Sequence, residues 1–550
     1  MTPVDFYNIP LDCIDKHAES LLNKNKTALI YVPSSFPSPL EGEGARRAGE
    51  GDNVVKLTFS NLQGLTNRIA NALKKLEINP GERLILRLPN CPEFPITFLG
   101  AIKAGVIPIP TSPLLTWNEL KFILEDSEAS VLVTTEELLP SELFESCSLF
   151  VKRIIILSPS PPPSPAQGEG EKTLPASRFT LHNWKDLLKS SSPSFKTEPT
   201  PANAPAYWLY TSGTEGEPKA VIHAHRSIRA HDSRAKVWQD LKQGDVVFNT
   251  SSLNWSYALT CGMLDLWRHG VTSLIYSGDL SPEKICGIVK HFGVTTFMSV
   301  PGIYRRLSEY LKLTDESFSK VRACLSAGEK LSEEIRDRFR EATGLEIYEG
   351  LGMTEHSVYL VQRFSEPIVK GSCGKPLPQH QIAILRENLS EASPGEIGIL
   401  ASHQSCPGLL LGYYKRPDEE KEVFRKNWFL SGDLAYQDEQ ENFYFVGRRD
   451  DVITAGGYRI SPHEVEAVIN QCSLVAESAV VGKEIEPGKT IVVAFVVLNA
   501  EAKGSEKIKE KIRSDSSQKL AKYKVPREII FVKALPKTQN GKIKRKELKI

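Results

Sequence analysis

The chain has 550 residues, a formal net charge of +1 from 68 basic and 67 acidic side chains, and a hydrophobic fraction of 41%. That length is too great for one compact core, so two or more domains are expected. The even charge argues against a dedicated nucleic-acid binder, and no apolar run approaches a membrane-spanning helix.

Residue Ser60 reads as a helix N-cap, followed at helical spacing by Leu62, Leu65, Ile69, Leu73 and Leu76 and ended by Pro80-Gly81. Residues 83–88 read as a strand, 93–104 as a helix, 106–109 as a strand, 117–127 as a helix and 130–134 as a strand. Such alternation predicts a layered α/β fold with mostly parallel sheets. Two stretches, near 34–52 and 158–173, interrupt it, and residues 37–44 are nearly repeated at 163–170. Both are rich in Pro, Gly, Ser and Glu and poor in apolar residues. They cannot bury enough surface to offset ordering entropy, so disordered insertions are expected, with a pair of binding motifs as the alternative. The nine cysteines run from Cys13 to Cys472 without a C-x-x-C spacing, which predicts free thiols of a reducing compartment and no structural zinc. Residues 1–10 lack a charged start followed by an apolar run, so no signal peptide is expected and the cytoplasm is the expected location.

The stretch Tyr210-Thr211-Ser212-Gly213-Thr214-Glu215-Gly216-Glu217-Pro218-Lys219 lies between two apolar runs and reads as a loop between strands. Gly213 and Gly216 let several N–H groups point one way, while Thr211, Ser212 and Thr214 add hydroxyls. Lys219 adds a charge able to reach a phosphate. A triphosphate clamp and a solvated Ser/Thr/Gly hairpin both fit this stretch alone. It is not the common mononucleotide loop, which needs Ser or Thr after its Gly-Lys pair, whereas Lys219 is followed by Ala220 and Lys542 by Ile543. His223, His225 and His231 follow; they are expected at the surface and not as a metal triad.

Strands at 271–276 and 295–300 and helices at 282–292 and 331–343 continue the pattern. A strand at 346–348 runs into a loop, Glu349-Gly350-Leu351-Gly352-Met353-Thr354-Glu355. Glu355 suits a hard cation such as Mg2+, and a capping carboxylate on a helix start fits as well. Residues 427–433 end in Ser431-Gly432-Asp433, an acid just after a glycine turn that could accept ribose hydroxyls. The charged run after Gly447 sets the expected boundary between domains 1–449 and 450–550. In the last hundred residues Ser461 caps a helix with Pro462 at its first position, and strands at 477–481 and 491–498 with a helix at 508–520 complete an α+β unit. The basic tail 535–546 is either a solvated or nucleic-acid-binding tail or, because Asn540-Gly541 favours a tight turn, a fixed mount for Lys542.

Taken in order, the phosphate loop, Gly352-x-Thr354-Glu355, Ser431-Gly432-Asp433, Gly447-Arg448-x-Asp450-Asp451 and Pro536-Lys537-x-x-x-Gly541-Lys542 resemble the adenylate-forming superfamily. That superfamily holds acyl-CoA synthetases, peptide-synthetase adenylation domains and firefly-type luciferases. Tyr207 to Tyr210, Ser326-Ala327-Gly328-Glu329 and Leu351 make the chain most similar to benzoate-CoA ligase-like aryl or medium-chain acyl-CoA ligases. The resemblance implies a large N-terminal domain of α/β subdomains with a small β-barrel-like part, and a small mobile α+β C-terminal domain. It implies ATP, Mg2+ and coenzyme A as cofactors and co-substrates, a small carboxylic acid as substrate, and two steps: acyl-adenylate formation, then transfer to the CoA thiol. Homodimer and monomer both stay open. Transfer to a carrier-protein thiol, or a degenerate non-catalytic homologue, are the alternatives.

By the same resemblance Lys542 is the adenylation lysine, Thr354 touches the α-phosphate and Glu355 binds Mg2+. Gly328, Glu329, Glu349, Gly350 and Leu351 form the adenine pocket, Asp433 holds the ribose, and Arg448 the ribose or phosphate. Asp450 is the hinge of C-terminal rotation, Gly457 flanks the pantetheine arm and Arg459 the CoA phosphates. Trp255, Tyr257 and Ala258 wall the acyl pocket, with Gly302 on the opposite wall; the two aromatics fit a core equally well. Three residues depart from the family pattern: Glu215 in the phosphate loop, Ala220 after Lys219, and Thr454 where Lys is frequent.

Overall fold

A computed structural model describes residues 6–36, 53–145, 150–157, 179–211, 218–311, 316–449, 451, 453–455, 458–486, 489–499, 502, 504–537 and 543–548. Most of the two Pro/Gly/Ser/Glu-rich stretches lies outside these residues, as do Ser212, Gly213, Thr214, Glu215, Gly216, Asp450, Gly457 and Lys542. The chain divides into two compact units. The first comprises 1–368, 376–380 and 405–422, and the second 369–375, 381–404 and 423–550.

The strands of the first unit, in chain order, are β1 (Thr27–Val32), β2 (Val55–Thr58), β3 (Arg83–Arg87), β4 (Ile107–Pro110), β5 (Val131–Thr135), β6 (Arg153–Leu157) and β7 (Thr180–Asn183). They continue with β8 (Pro205–Thr211), β9 (Lys219–Ala224), β10 (Val246–Asn249), β11 (Thr272–Tyr276), β12 (Thr296–Ser299), β13 (Ala323–Ala327), β14 (Ile347–Met353) and β15 (Ser357–Val361). One sheet has the order β4-β3-β5-β6-β7 and is parallel throughout. In a second, nine-stranded sheet these strands run β15-β14-β13-β12-β10-β11-β1-β2, the β15/β14 and β1/β2 pairs antiparallel and the other pairs of this run parallel, with the short strand Lys375–Pro376 next to β15. A third joins β8, β9 and the Gly412–Tyr413 strand.

Helices cover the parallel sheets. The helices Trp117–Ser127 and Pro282–Phe292 keep the bounds expected from sequence. The helix Phe59–Lys75 does not begin after Ser60. Its cap is Thr58, whose hydroxyl accepts the Asn61 N–H at 3.2 Å while the Asn61 side chain accepts the Thr58 N–H at 3.0 Å. Thr58 is still paired to Thr27 in the sheet, and its extended backbone is the one an N-cap requires. The Glu93–Lys103 helix is apolar almost all round and buried along most of its length, as between two layers it must be. Its buried Lys103 donates to Asp15 at 2.6 Å and Asn67 at 2.7 Å, which supplies the partners a charge needs in a dry interior. The main core gathers Phe94, Phe98, Leu99, Trp238, Leu264 and Trp267. Each such side chain taken out of water contributes about 2 kcal/mol.

The second unit pairs Ile382–Leu385, Gly398–His403, Trp428–Gln437 and Phe443–Arg448 in an antiparallel sheet. Its C-terminal part is a hairpin of Val475–Glu486 and Lys489–Leu498, with Glu528–Phe531 parallel to the latter. The Ser461 hydroxyl accepts the Glu464 N–H at 3.4 Å, and Pro462 opens the helix Pro462–Ile469. No helix among the described residues is long and apolar enough to cross a membrane.

Two glycine-rich stretches expected as loops are strand. Glu349 to Met353 belong to β14, paired in sequence to β15, and the chain reverses only at Thr354-Glu355-His356. No helix starts there, so Glu355 is not a helix cap. Ser431-Gly432-Asp433 is likewise a bulge inside the continuous strand Trp428–Gln437, where Ile399 pairs with Leu434 and Ala401 with Leu430. Bulges of this kind re-aim side chains without ending a strand.

Candidate active site

Strands β8 and β9 pair antiparallel up to Thr211 opposite Lys219; residues 212–217, expected as a phosphate loop, lie outside the described residues. The ladder's flanks are aromatic. Tyr207 stacks on His223 with centroids 4.8 Å apart, and Trp208 lies against Tyr414 at 4.4 Å. The Tyr210 hydroxyl donates to Asp126 at 2.7 Å, and Arg416 donates to the other oxygen of that carboxylate at 3.0 Å. The base of the loop is therefore held by side chains from two distant segments.

Lys219 pairs with Glu419, in the first turn of the helix Pro417–Val423, and its ammonium lies 5.6 Å from the ring centre of Tyr413. The Gly412–Tyr413 strand is antiparallel to β9, with Tyr413 opposite Val221. The Tyr413 hydroxyl donates to the Glu355 carboxylate at 2.9 Å, and the Glu355 carbonyl accepts the Leu410 N–H at 2.8 Å. Thr354 directly precedes Glu355 in the turn between β14 and β15. Lys219, Thr354 and Glu355 thus come together through β9 and its neighbours.

The histidines are not at the surface. His223, on the middle strand β9 with the Tyr207 ring stacked on it, is 2% exposed, and so are His225 and His231 beyond the end of that strand. Burial holds the His223 and His225 imidazoles down, to about 4.

Below the Thr354–Glu355 turn, Ser357 adopts a left-handed backbone, φ 56°. Its hydroxyl accepts from Arg234 at 2.7 Å and bonds Thr260 at 2.8 Å, and Arg234 in turn donates to Asp265 at 2.8 Å. Arg234 and Asp265 are buried, so this ion pair fixes the turn from inside. Gly350 and Gly352 permit the close approach. A side chain on Gly350 would meet Trp238 at 2.8 Å, and one on Gly352 would meet the Val358 backbone at 2.7 Å.

Among the adenine-pocket candidates, Glu349 pairs with Ser326 and Gly350 with Ala327, which brings them beside the Gly328-Glu329 turn; Gly328 has φ 97°. The Glu349 carboxylate accepts the Leu331 N–H at 3.0 Å and lies 3.6 Å from Arg336. Burial pushes its pKa up to about 7, against the pull of that N–H and of Arg336. Leu351 is partly exposed on the same strand.

The acyl-pocket candidates are dispersed. Tyr257 opens a π-helical turn, Tyr257–Leu264, a wide turn common at functional sites. Its hydroxyl donates to the Leu325 carbonyl at 3.4 Å, and its ring lies 6.3 Å from Trp238. Ala258 is fully buried, Trp255 is partly exposed, and Gly302 is exposed in the helix Pro301–Tyr310 with open space around its α-carbon.

In the second unit, Asp433 pairs with Arg448 across the hairpin, and the Arg448 guanidinium donates to the carboxylate at 3.1 Å. The Asp433 N–H donates to the Ser431 hydroxyl at 3.1 Å, and that hydroxyl donates to the Leu400 carbonyl at 2.8 Å. Gly432, at φ 75°, supplies the bulge's left-handed residue, which glycine adopts without strain. Thr454 and Arg459 are paired in backbone register. Lys537 and Ile543 form an isolated antiparallel bridge on either side of residues 538–542, which include Lys542.

Sequence reasoning missed Tyr413, Glu419, Asp126 and Arg416. The run Gly412-Tyr413-Tyr414-Lys415-Arg416, two aromatics and two cations after a glycine, was the available signal.

The family described as AMP-binding enzyme matches residues 23–414, and that described as AMP-binding enzyme C-terminal domain matches 464–542. The chain is 33% identical over 495 residues to the uncharacterized acyl-CoA ligase YtcI of Bacillus subtilis (strain 168), covering 90% of each. It is 32% identical over 508 residues to the mitochondrial acyl-coenzyme A synthetase ACSM3 of Homo sapiens, covering 90% of this chain and 83% of that one. Among solved structures, the anthranilate CoA ligase AuaEII in complex with anthranoyl-AMP matches with a TM-score of 0.84 at 26% identity, covering 99% of this chain and 96% of that one. A benzoate CoA ligase from Burkholderia xenovorans LB400 matches with a TM-score of 0.82 at 26% identity, covering 98% and 99%.

Proposed function

Because the chain belongs to the AMP-binding enzyme family, we propose that it is an ATP-dependent acyl-CoA ligase for an aryl or medium-chain carboxylic acid. A carboxylate oxygen attacks the α-phosphorus of ATP, the bond to the β-phosphate breaks, and pyrophosphate leaves. The coenzyme A sulfur then attacks the acyl carbon of the acyl-adenylate and displaces AMP. The first step brings an anion against a polyanion, so fixed positive charge and preorganised donors dominate its barrier.

The observation that carries this reading is that Tyr413, paired to β9, lies between Lys219 and the turn that bears Thr354 and Glu355. Lys219 and the hydroxyls of Thr211, Ser212 and Thr214 serve the phosphates, and Thr354 the α-phosphate. Glu355 is a partly exposed carboxylate accepting from a neutral phenol. A carboxylate oxygen of this kind fits a hard cation such as Mg2+. When bound, Mg2+ neutralises phosphate oxygens. Asp433, already bonded to Arg448, accepts from the ribose hydroxyls. Lys542 acts in adenylation, Asp450 is the hinge, and Gly457 and Arg459 serve the thioester step. The flat rings of Trp255 and Tyr257 favour an aryl group, as do the benzoate and anthranilate ligases among the similar structures.

Pyrophosphate release is to be measured with benzoate, substituted benzoates and C4 to C10 acids, followed by thioester detection with free coenzyme A. Acid-dependent pyrophosphate release with at least one acid is expected. Release with none of them, from a folded preparation, would overturn the reading.

A further inference from the structure

The geometry points to Tyr413 as a positioning residue that couples the metal-binding carboxylate to the phosphate-loop lysine. This rests on the reading of Glu355 as the Mg2+ carboxylate.

Three contacts carry the inference. The Tyr413 hydroxyl donates to one oxygen of Glu355 at 2.9 Å. The Lys219 ammonium lies 5.6 Å from the centre of the same ring, within the range where a cation is attracted to an aromatic face. The tyrosine itself has little freedom. It is 7% exposed, its N–H donates to Glu420 at 2.6 Å, and its backbone is paired to Val221. A tyrosine has only two side-chain torsions, so fixing the backbone and burying the ring fixes the hydroxyl.

The kind of donor matters. A guanidinium or ammonium on Glu355 would cancel the charge that a divalent cation needs. A phenol orients the carboxylate and leaves its charge in place. Donors of this type behind metal ligands are worth roughly ten- to a hundredfold in metal affinity where they have been removed. The ring face also gives Lys219 a weak platform beside the carboxylate. The spacing between the lysine, which meets phosphate, and the glutamate, which meets Mg2+, is then set by one rigid side chain instead of two flexible ones. Tyr413 acts through Glu355 and Lys219, so its part is positioning.

The test compares ATP affinity with and without Mg2+ by isothermal titration calorimetry, with no carboxylic acid present. Wild type, Tyr413→Phe, Tyr413→Leu and Glu355→Gln are measured, each checked for an unchanged melting temperature. The quantity read is the Mg2+-dependent gain in ATP affinity. Tyr413→Phe keeps the ring and loses the hydroxyl. It should lose roughly tenfold of the gain while its metal-free ATP affinity stays at the wild-type value. Tyr413→Leu should lose the same gain and also weaken metal-free binding, because Lys219 loses its platform. Glu355→Gln should lose most of the gain. If Glu355→Gln loses the gain and Tyr413→Phe keeps it, the positioning role is wrong and the reading of Glu355 stands. If Tyr413→Phe weakens both affinities equally, Tyr413 is a packing residue only and the inference is overturned. If Glu355→Gln keeps the wild-type gain, the metal assignment falls and the role of Tyr413 falls with it.

Discussion

Two carboxylates, Glu355 and Asp433, stand on hairpins of different units and are held by opposite means. Glu355 accepts from a neutral phenol 58 residues further along the chain. Asp433 accepts from a guanidinium 15 residues away, on the strand paired with its own. The first arrangement orients a charge and preserves it. The second compensates the charge and leaves an oriented acceptor. A cation needs the former, and neutral hydroxyls are served by the latter without the cost of an uncompensated buried anion. Glu349 is a third case. It is buried deeply enough that its pKa rises to about 7 although an N–H and an arginine are near, and it ties the Leu331 backbone to β14.

The contrast makes one chemical change unequal at two places. Glu355→Gln removes charge and keeps shape, and adenylation should fall by about a thousandfold, the equivalent of about 4 kcal/mol of transition-state stabilisation. Lys542→Ala comes next. Pyrophosphate formation should drop by roughly a hundredfold or more, the scale of one preorganised donor, while thioester formation from supplied acyl-adenylate is spared. Equal loss in both half-reactions would remove Lys542 from its assigned step.

Third is a stability effect. The buried His223 and His225 bind protons less readily folded than unfolded. Their stabilisation is complete above the unfolded value near 6.5 and is lost as pH falls toward 4, at most about 3 kcal/mol for each. Glu349 has the opposite sign. Its folded value is raised, so its contribution is present below the usual carboxylate range and is lost as pH rises toward 7, again about 3 kcal/mol at most. Glu349→Gln should therefore raise the melting temperature at pH 8 and steepen its decline on acidification. A melting curve unchanged at pH 8 would show that the carboxylate is not strained there.

The smallest effect is expected at Asp433→Asn. Because Arg448 already compensates the charge, the amide should raise the KM for ATP by only about tenfold, near 1.4 kcal/mol. A loss as large as that of Glu355→Gln would erase the distinction between the two carboxylates.

Much of this was legible in the sequence where the signal was local. The helices Trp117–Ser127 and Pro282–Phe292 follow from apolar spacing and end signals, and the β8/β9 hairpin from two apolar runs around a polar loop. Glycine misled twice. Glu349 to Met353 and Ser431 to Asp433 look like loops because glycine weakens a strand, yet close packing against Trp238 and Val358, and a bulge opposite Leu400, need those glycines within strands. The histidines after Lys219 misled because polarity was read as exposure, whereas for His223 the central place of β9 decides and His225 and His231 are buried beyond it. Tyr413 could not be found from its neighbours. Its two partners of consequence are Glu355 and Lys219, and only the sheet brings them beside it.

The pairing of Lys219 with Glu419 has a consequence for energetics. A lysine that already holds a carboxylate has given up part of its hydration before any nucleotide arrives. On the proposed reading of Lys219 as a phosphate ligand, that encounter would exchange one counterion for another, and the free energy gained would be the difference between two anions. Such a site would discriminate by charge density, favouring a triphosphate over a singly charged competitor.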